Sequence, residues 1–360
     1  MVALKEWFDS AFYRGLADHL VRLEPSVDAE AFYRDALVGL EGRELKDRLR
    51  HTAELCRAYL PSNYRRAVDV LRRVAPLYDG EFRCMFCPEF VGLYGLDDYD
   101  FSLEALAFFT PFSSSEFAIR PFLRQDLARG LAFMEKWSRD EDEHVRRLAS
   151  EGCRPRLPWS FHLRELVRDP APIWPILDAM RTDPSLYVRK SVANSLNDVS
   201  KDHAEWVLDK LAGWDLDHEH SAWIARHAAR TLIKAGHPGS FALLGFEREP
   251  LVEIGPLELS ADRLALGSSL VFSFALVSKK KTVQKLAVDF AVHYVKKAGH
   301  TTAKVFKLRE LELDSGQVVV LRKEHKFQDY STRKHYAGEH GVEIFVNGRS
   351  FARAAFMLCD

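Results

Sequence analysis

Between residues 5 and 240, apolar positions recur at i, i+3, i+4 and i+7 with charged residues between them, the pattern of amphipathic helices. Leu37-Val-Gly-Leu-Glu-Gly-Arg-Glu-Leu-Lys-Asp-Arg-Leu and Tyr64-Arg-Arg-Ala-Val-Asp-Val-Leu-Arg-Arg-Val are two such segments. Pro61, Pro76, Pro121, Pro170, Pro184 and Pro238 fall at the expected starts and stops. After Gly236-His-Pro-Gly the period changes to two. Leu270-Val-Phe-Ser-Phe-Ala-Leu-Val, Lys285-Leu-Ala-Val-Asp-Phe-Ala-Val-His-Tyr-Val, Ala303-Lys-Val-Phe-Lys-Leu and Gln317-Val-Val-Val-Leu read as strands. Val342-Glu-Ile-Phe-Val-Asn-Gly-Arg-Ser-Phe-Ala reads as a hairpin around a type I′ turn at Asn347-Gly348. About seven strands in this length fit an immunoglobulin-like sandwich, without the Cys-Trp-Cys pin of true immunoglobulin domains.

A second regularity lies above the helical period. Asp183-Pro-Ser-Leu-Tyr-Val-Arg-Lys repeats Asp140-Glu-Asp-Glu-His-Val-Arg-Arg after 43 residues, and Ala222-Trp-Ile-Ala-Arg-His is a weaker third copy. A period near 40 is that of HEAT-like helical pairs, which must stack to bury their apolar faces. The predicted fold is mainly α: an α-solenoid of HEAT-like repeats over 1–250, followed by an all-β immunoglobulin-like sandwich over 251–360.

Charge supports the same boundary. Residues 1–250 hold 34 basic and 40 acidic residues, mostly with Arg as the base; residues 251–360 hold 17 and 12, mostly with Lys. The mildly basic second part suggests a polyanionic partner without deciding it. No apolar run approaches the roughly 18 residues that a membrane span needs. The N-terminal residues lack the pattern of a secretory signal. Five cysteines, an odd and sparse number, favour a reducing compartment. These features predict a cytoplasmic protein with no membrane association.

Candidate chemistry concentrates where the repeat grammar fails. Glu151-Gly-Cys-Arg-Pro-Arg-Leu-Pro-Trp159 places a carboxylate, Arg154, Arg156 and an aromatic ring in one tight connection. Glu151 stands near a helix C-terminus, where negative charge is disfavoured by about 0.3–1 kcal/mol. Trp159 reads equally as a core or staple residue. Glu116 ends Ser113-Ser-Ser-Glu, which reads locally as a capping box. Asp198, at the end of the second repeat helix, is either a cap or a projecting carboxylate. Arg146 and Arg189, and Arg147 and Lys190, are matched pairs; with Arg226 they form either a ladder of cations towards phosphates or an ordinary solvated face. Lys279, Lys280 and Lys281 lie at a turn, as strand-edge protection or as phosphate contacts. Cys84 and Cys87 form a lone CxxC with no histidines at zinc-ligand spacing. Cys153, beside Arg154, has no His/Asp partner pattern.

Three segments carry a family likeness: Leu148-Ala-Ser-Glu-Gly-Cys-Arg-Pro-Arg-Leu-Pro-Trp, Ser191-Val-Ala-Asn-Ser-Leu-Asn-Asp-Val-Ser-Lys-Asp-His and Arg226-His-Ala-Ala-Arg-Thr-Leu-Ile-Lys-Ala-Gly-His-Pro. The chain resembles the bacterial AlkC family of 3-methyladenine DNA glycosylases, which belong with the AlkD-like HEAT-repeat glycosylases. The likeness runs through most of residues 1–246, and some members carry a C-terminal Ig-like domain. The resemblance implies excision of small cationic bases, chiefly N3-methyladenine, from double-stranded DNA without full base flipping. It implies Glu116, Glu151 and Asp198 as active-site carboxylates and Trp159 as an aromatic wall. It assigns Arg147, Arg154 and Arg156 to backbone or lesion contact; the repeat ladder and the basic turn add Arg189, Lys190, Arg226 and Lys279 to Lys281 as expected DNA contacts. It implies no cofactor, no metal and no obligate protein partner, in a monomer whose Ig-like domain grips DNA from the far side. The competing expectation is a non-catalytic HEAT scaffold that binds protein or DNA.

Overall fold

A computed structural model describes residues 3–78, 80–329 and 334–359. Helices fill the chain up to Leu243, and strands begin at Val252. Compactness divides it elsewhere: one unit is Met1–Asp202 with Asp215–Ala228, the other His203–Trp214 with Ala229–Asp360.

In the first unit the helices start where side chains can take up orphan amides. Asp9 accepts from Phe12 N at 2.8 Å and Asn63 from Arg66 N at 3.1 Å. The helix expected from Tyr64 runs over Tyr64–Val74. The segment from Leu37 to Leu49 is not one helix. The helix Ala29–Leu37 stops, Gly39 takes φ +68°, and a new helix, Leu45–Tyr59, begins behind the capping box of Glu44 and Asp47. The apolar spacing runs across the break because both pieces bury residues, Phe32 and Ala36 before it and Leu49 after it, while Gly39 takes the left-handed conformation that ends the first.

The 43-residue repeat has a physical basis. Its copies form the helices Glu143–Gly152 and Leu186–Val199, which pack together; the second also packs on Glu219–Ala228. In the first copy Asp140 Oδ1 accepts from Asp142 N at 2.9 Å, and Arg146 Nη1 donates to the carbonyls of Asp140 and Glu141. In the second, Asp183 Oδ1 accepts from Ser185 N at 2.8 Å, and Arg189 Nη1 donates to the carbonyls of Asp183 and Pro184. The Asp and the first Arg thus close each helix entrance onto its own backbone. Arg146 also forks onto Asp183, at 2.7 and 3.2 Å, joining one copy to the next.

In the second unit the strands are β1 (Val252–Ile254), β2 (Glu258–Leu259), β3 (Arg263–Ala265), β4 (Ser269–Ser278), β5 (Gln284–Val295), β6 (Thr301–Leu313), β7 (Val318–Lys326), β8 (Gly338–Val346) and β9 (Arg349–Cys359). One sheet has the order β1-β4-β2, with β7 also paired to β4; the other runs β3-β9-β8-β5-β6. Strand β4 alternates strictly in burial, and its inward residues meet those of β5, β8 and β9 in a core that includes Phe272, Phe290, Phe327, Ile344 and Phe356. This core stands where an immunoglobulin domain has its pin. Strand β5 is buried on both faces over much of its length, and Phe241 and Phe246 pack on Ala287. The β8–β9 turn is as expected: Asn347 and Gly348 have φ of 46° and 78°. Asn347 does more than turn. Its Oδ1 accepts from Ala287 N at 2.8 Å, and its Nδ2 donates to Glu247 O at 2.9 Å. A side chain at Gly348 would also strike Phe241 at 2.5 Å.

Candidate active site

The three carboxylates singled out in the sequence lie in one chain of alternating charge in the first unit. Glu116 precedes the helix Arg120–Gln125. Arg147 and Glu151 stand one turn apart on Glu143–Gly152. Arg154 follows that helix, and Asp198 lies in the last turn of Leu186–Val199. Glu116 pairs with Arg147; Arg147 Nη2 approaches Glu151 Oε1 at 3.6 Å. Arg154 Nη1 donates to Glu151 Oε1 at 2.6 Å, and its Nε donates to Asp198 Oδ2 at 2.9 Å. Lys201 Nζ closes the chain on Asp198 Oδ1 at 2.9 Å. Stacking of the repeat helices makes this possible. Ser150 and Ser191 meet at 2.7 Å, and Ser191 Oγ donates to Glu151 Oε2 at 2.7 Å.

Glu151 is therefore not an unmet charge at a helix end: two guanidiniums and a hydroxyl satisfy it. The local reading of Glu116 fails as well. The following helix begins only at Arg120, has Ile119 at its N-cap and no side-chain cap. Glu116 instead bonds Ser114 Oγ at 3.2 Å and turns to Arg147. Burial works against the charges on Arg147 and Arg154, but the adjoining carboxylates outweigh it and hold both more firmly protonated than a free arginine.

Trp159 is not a core or staple residue. It is 68% exposed and has φ of +63°, a conformation that costs a bulky residue on the order of 1–3 kcal/mol. Its carbonyl accepts from Lys46 Nζ. The connection that presents it is tied down by Arg120, the largest fully buried side chain among the described residues. Arg120 Nη1 donates to the carbonyls of Gly152 and Arg154, both at 2.9 Å, and its Nη2 to that of Phe161. Burial lowers its pKa to about 10, so it stays charged at neutral pH. Nothing in the sequence marked Arg120 for this role, since a buried arginine leaves no periodic signature. Ser191 and Lys201 were also missed, although both lie in a segment that carries the family likeness.

The remaining basic residues are scattered. Arg156 forks onto Asp202, with both bonds at 3.0 Å. Arg189 is committed to its own backbone, which leaves Lys190 as the exposed cation of that pair. Arg226 is half-buried on Glu219–Ala228. In the second unit, Lys279 pairs with Glu253 at 2.5 Å and Lys280 with Glu247, while Lys281 is exposed. Burial outweighs the lowering pull of Arg120 and Arg154 on Cys153 and raises its pKa to about 12, and its Sγ donates to Ala149 O at 3.1 Å. Cys84 and Cys87 are buried, and no cluster fit to hold a metal ion occurs among the described residues. No helix among them is long and apolar enough to cross a membrane.

Known proteins bear on this arrangement. The family described as "DNA alkylation repair enzyme" matches residues 110–232, which hold the whole charge chain, and "Uncharacterised protein YhaZ, C-terminal Ig-like domain" matches residues 253–360. Uncharacterized protein YhaZ of Bacillus subtilis (strain 168) is 38% identical over the full length of both chains. The structure of Pseudomonas fluorescens alkylpurine DNA glycosylase AlkC, bound to DNA containing an abasic site analog, is 44% identical, covers all of both chains and superposes with a TM-score of 0.95.

Proposed function

The chain belongs to the AlkC-type DNA alkylation repair enzymes, and on that premise we propose that it excises small cationic alkylated bases, chiefly N3-methyladenine, from double-stranded DNA by hydrolysing the N-glycosidic bond. The observation that supports the reading best is the gathering of Glu116, Glu151 and Asp198 on one charge chain, beside a connection that holds an exposed tryptophan in a strained conformation.

A base that already carries positive charge leaves with the bonding electron pair as a neutral molecule. The C1′–N bond breaks, a water oxygen forms the new bond to C1′, and the water's proton passes to a carboxylate. Anionic oxygens stabilise the positive charge that develops on the sugar. The ends of the charge chain suit this work. Glu116 is bonded through Oε2, and among the described residues Asp198 Oδ1 is held by Lys201, whose side chain is 43% exposed. Glu151, satisfied on both oxygens, sets the two guanidiniums. Trp159 offers a π face to the cationic base, worth about 0.5–2 kcal/mol and less for a neutral one. Selectivity then follows from charge, with no need to flip the base fully out of the stack. The protein acts as a monomer, and the Ig-like module holds the duplex, with the exposed Lys281 at the β4–β5 turn as one contact.

Release of N3-methyladenine from methylated duplex DNA tests the reading, in the presence of EDTA because no step calls for a metal. Glu116→Gln and Asp198→Asn should each lower the single-turnover rate by about 10²–10⁴ with little change in DNA affinity. Undiminished release by both variants would overturn the roles given to Glu116 and Asp198, and no release by wild type would return the chain to the scaffold reading.

A further inference from the structure

The connection that carries Trp159 continues into a second feature that the charge chain does not use. Phe161, Leu163, Arg164, Glu165 and Arg168 line a cleft of about 470 Å³, with Arg124 on its other side. Arg124, Arg164 and Arg168 are all exposed. Several exposed arginines elsewhere in this unit are held by carboxylates: Arg34 by Asp35, Arg65 by Asp98 and Arg129 by Asp100. Among the described residues no carboxylate pairs with the three cleft arginines, although Glu165 shares the lining. Three uncompensated guanidiniums around one concave surface raise a positive potential that an anion relieves. The Arg124 guanidinium lies 4.6 Å from the centre of the Phe161 ring, which orients its planar fork.

We propose that this cleft binds the sugar-phosphate backbone of DNA beside the lesion. Guanidinium forks match phosphate oxygens two at a time, and the apolar lining suits a deoxyribose. The cleft is joined to the catalytic connection through Arg120, which bonds the carbonyls of Gly152 and Arg154 on one side and of Phe161 on the other. A strand seated here is thus registered against Trp159, two residues before Phe161. The proposal rests on the glycosylase reading only in taking DNA as the substrate.

The test uses the full chain and anisotropy titrations of undamaged and abasic-site duplexes from roughly 50 to 300 mM salt. Arg164→Gln/Arg168→Gln should weaken binding to both duplexes and make the log–log salt slope shallower by about two, since each phosphate contact contributes about 0.9. Arg124→Gln should remove about one. Arg22→Gln/Arg34→Gln, an equal loss of exposed charge elsewhere, should leave the slope near wild type. A slope in the cleft variants equal to that of the control overturns the proposal, and leaves the cleft to an acidic ligand other than DNA. Because no chemistry enters the titration, wild-type protein that binds DNA but releases no base would sink the catalytic reading and leave the cleft standing.

Discussion

Arg154 Nε donates to Asp198 Oδ2 at 2.9 Å, a bond across 44 residues that ties the end of one repeat helix to the end of the next. The same guanidinium bonds Glu151 three residues before it. One side chain therefore fixes the spacing of two buried carboxylates that the chain itself holds far apart.

Removing that side chain leaves both acids buried without their main partner. Arg154→Ala should destabilise the first unit by about 3–5 kcal/mol, the cost of breaking a buried ion pair. Arg154→Lys keeps the charge but not the fork, and should fall between the two. Urea unfolding measures both; a loss under about 1 kcal/mol for Arg154→Ala would show that the pairing is slack.

Arg120→Met conserves the volume of the stem but abandons three backbone carbonyls. Each lost partner costs about 1–3 kcal/mol when it stays buried. The connection through Trp159 should loosen, so proteolysis within residues 153–163 should accelerate and base release fall. Lys46→Ala, which frees the Trp159 carbonyl and removes the ammonium above the Phe117 ring, should do the same to a smaller extent.

The strain at Trp159 separates stability from activity. Trp159→Gly and Trp159→Ala both remove the ring, so both should lose base release. Only glycine takes φ of +63° freely. Trp159→Gly should therefore melt above Trp159→Ala, by up to about 1 kcal/mol after the entropy of the unfolded glycine is counted. Equal stability would mean that the residue relaxes out of the left-handed region.

Asp289 in β5 gives the second unit a pH dependence. Burial raises its pKa to about 6, against the pull of Lys307 and Lys234 and with the push of Glu310. A carboxyl group whose pKa is raised on folding binds its proton more tightly in the folded state. Its contribution is full below the ordinary aspartate range near 4 and is lost as pH rises through about 6. Asp289→Asn should thus be more stable than wild type at pH 8, by on the order of 3 kcal/mol at most, and equal to it near pH 4. Parallel unfolding curves at both pH values would show that Asp289 stays solvated.

By itself the sequence determined the element types, the repeat and the hairpin at Asn347-Gly348. These follow from local periodicity, from the Asp and Arg that close each repeat helix onto its own backbone, and from a turn that needs two residues at positive φ. It also named Glu116, Glu151, Asp198 and Trp159, through motifs that resemble a family. It did not show that Glu116 turns from a capping role to Arg147, that Trp159 is exposed and strained, or that Arg120 is buried beneath the connection. The capping box and the staple were sound local readings that long-range contacts overrode: an ion pair to Arg147 for Glu116, and hydrogen bonds from Lys46 and Arg120 to the backbone around Trp159. The tertiary structure decided those points because stacking successive repeat helices puts Ser150 against Ser191 and Arg154 against Asp198. Only that approach turns separated charges into one chain.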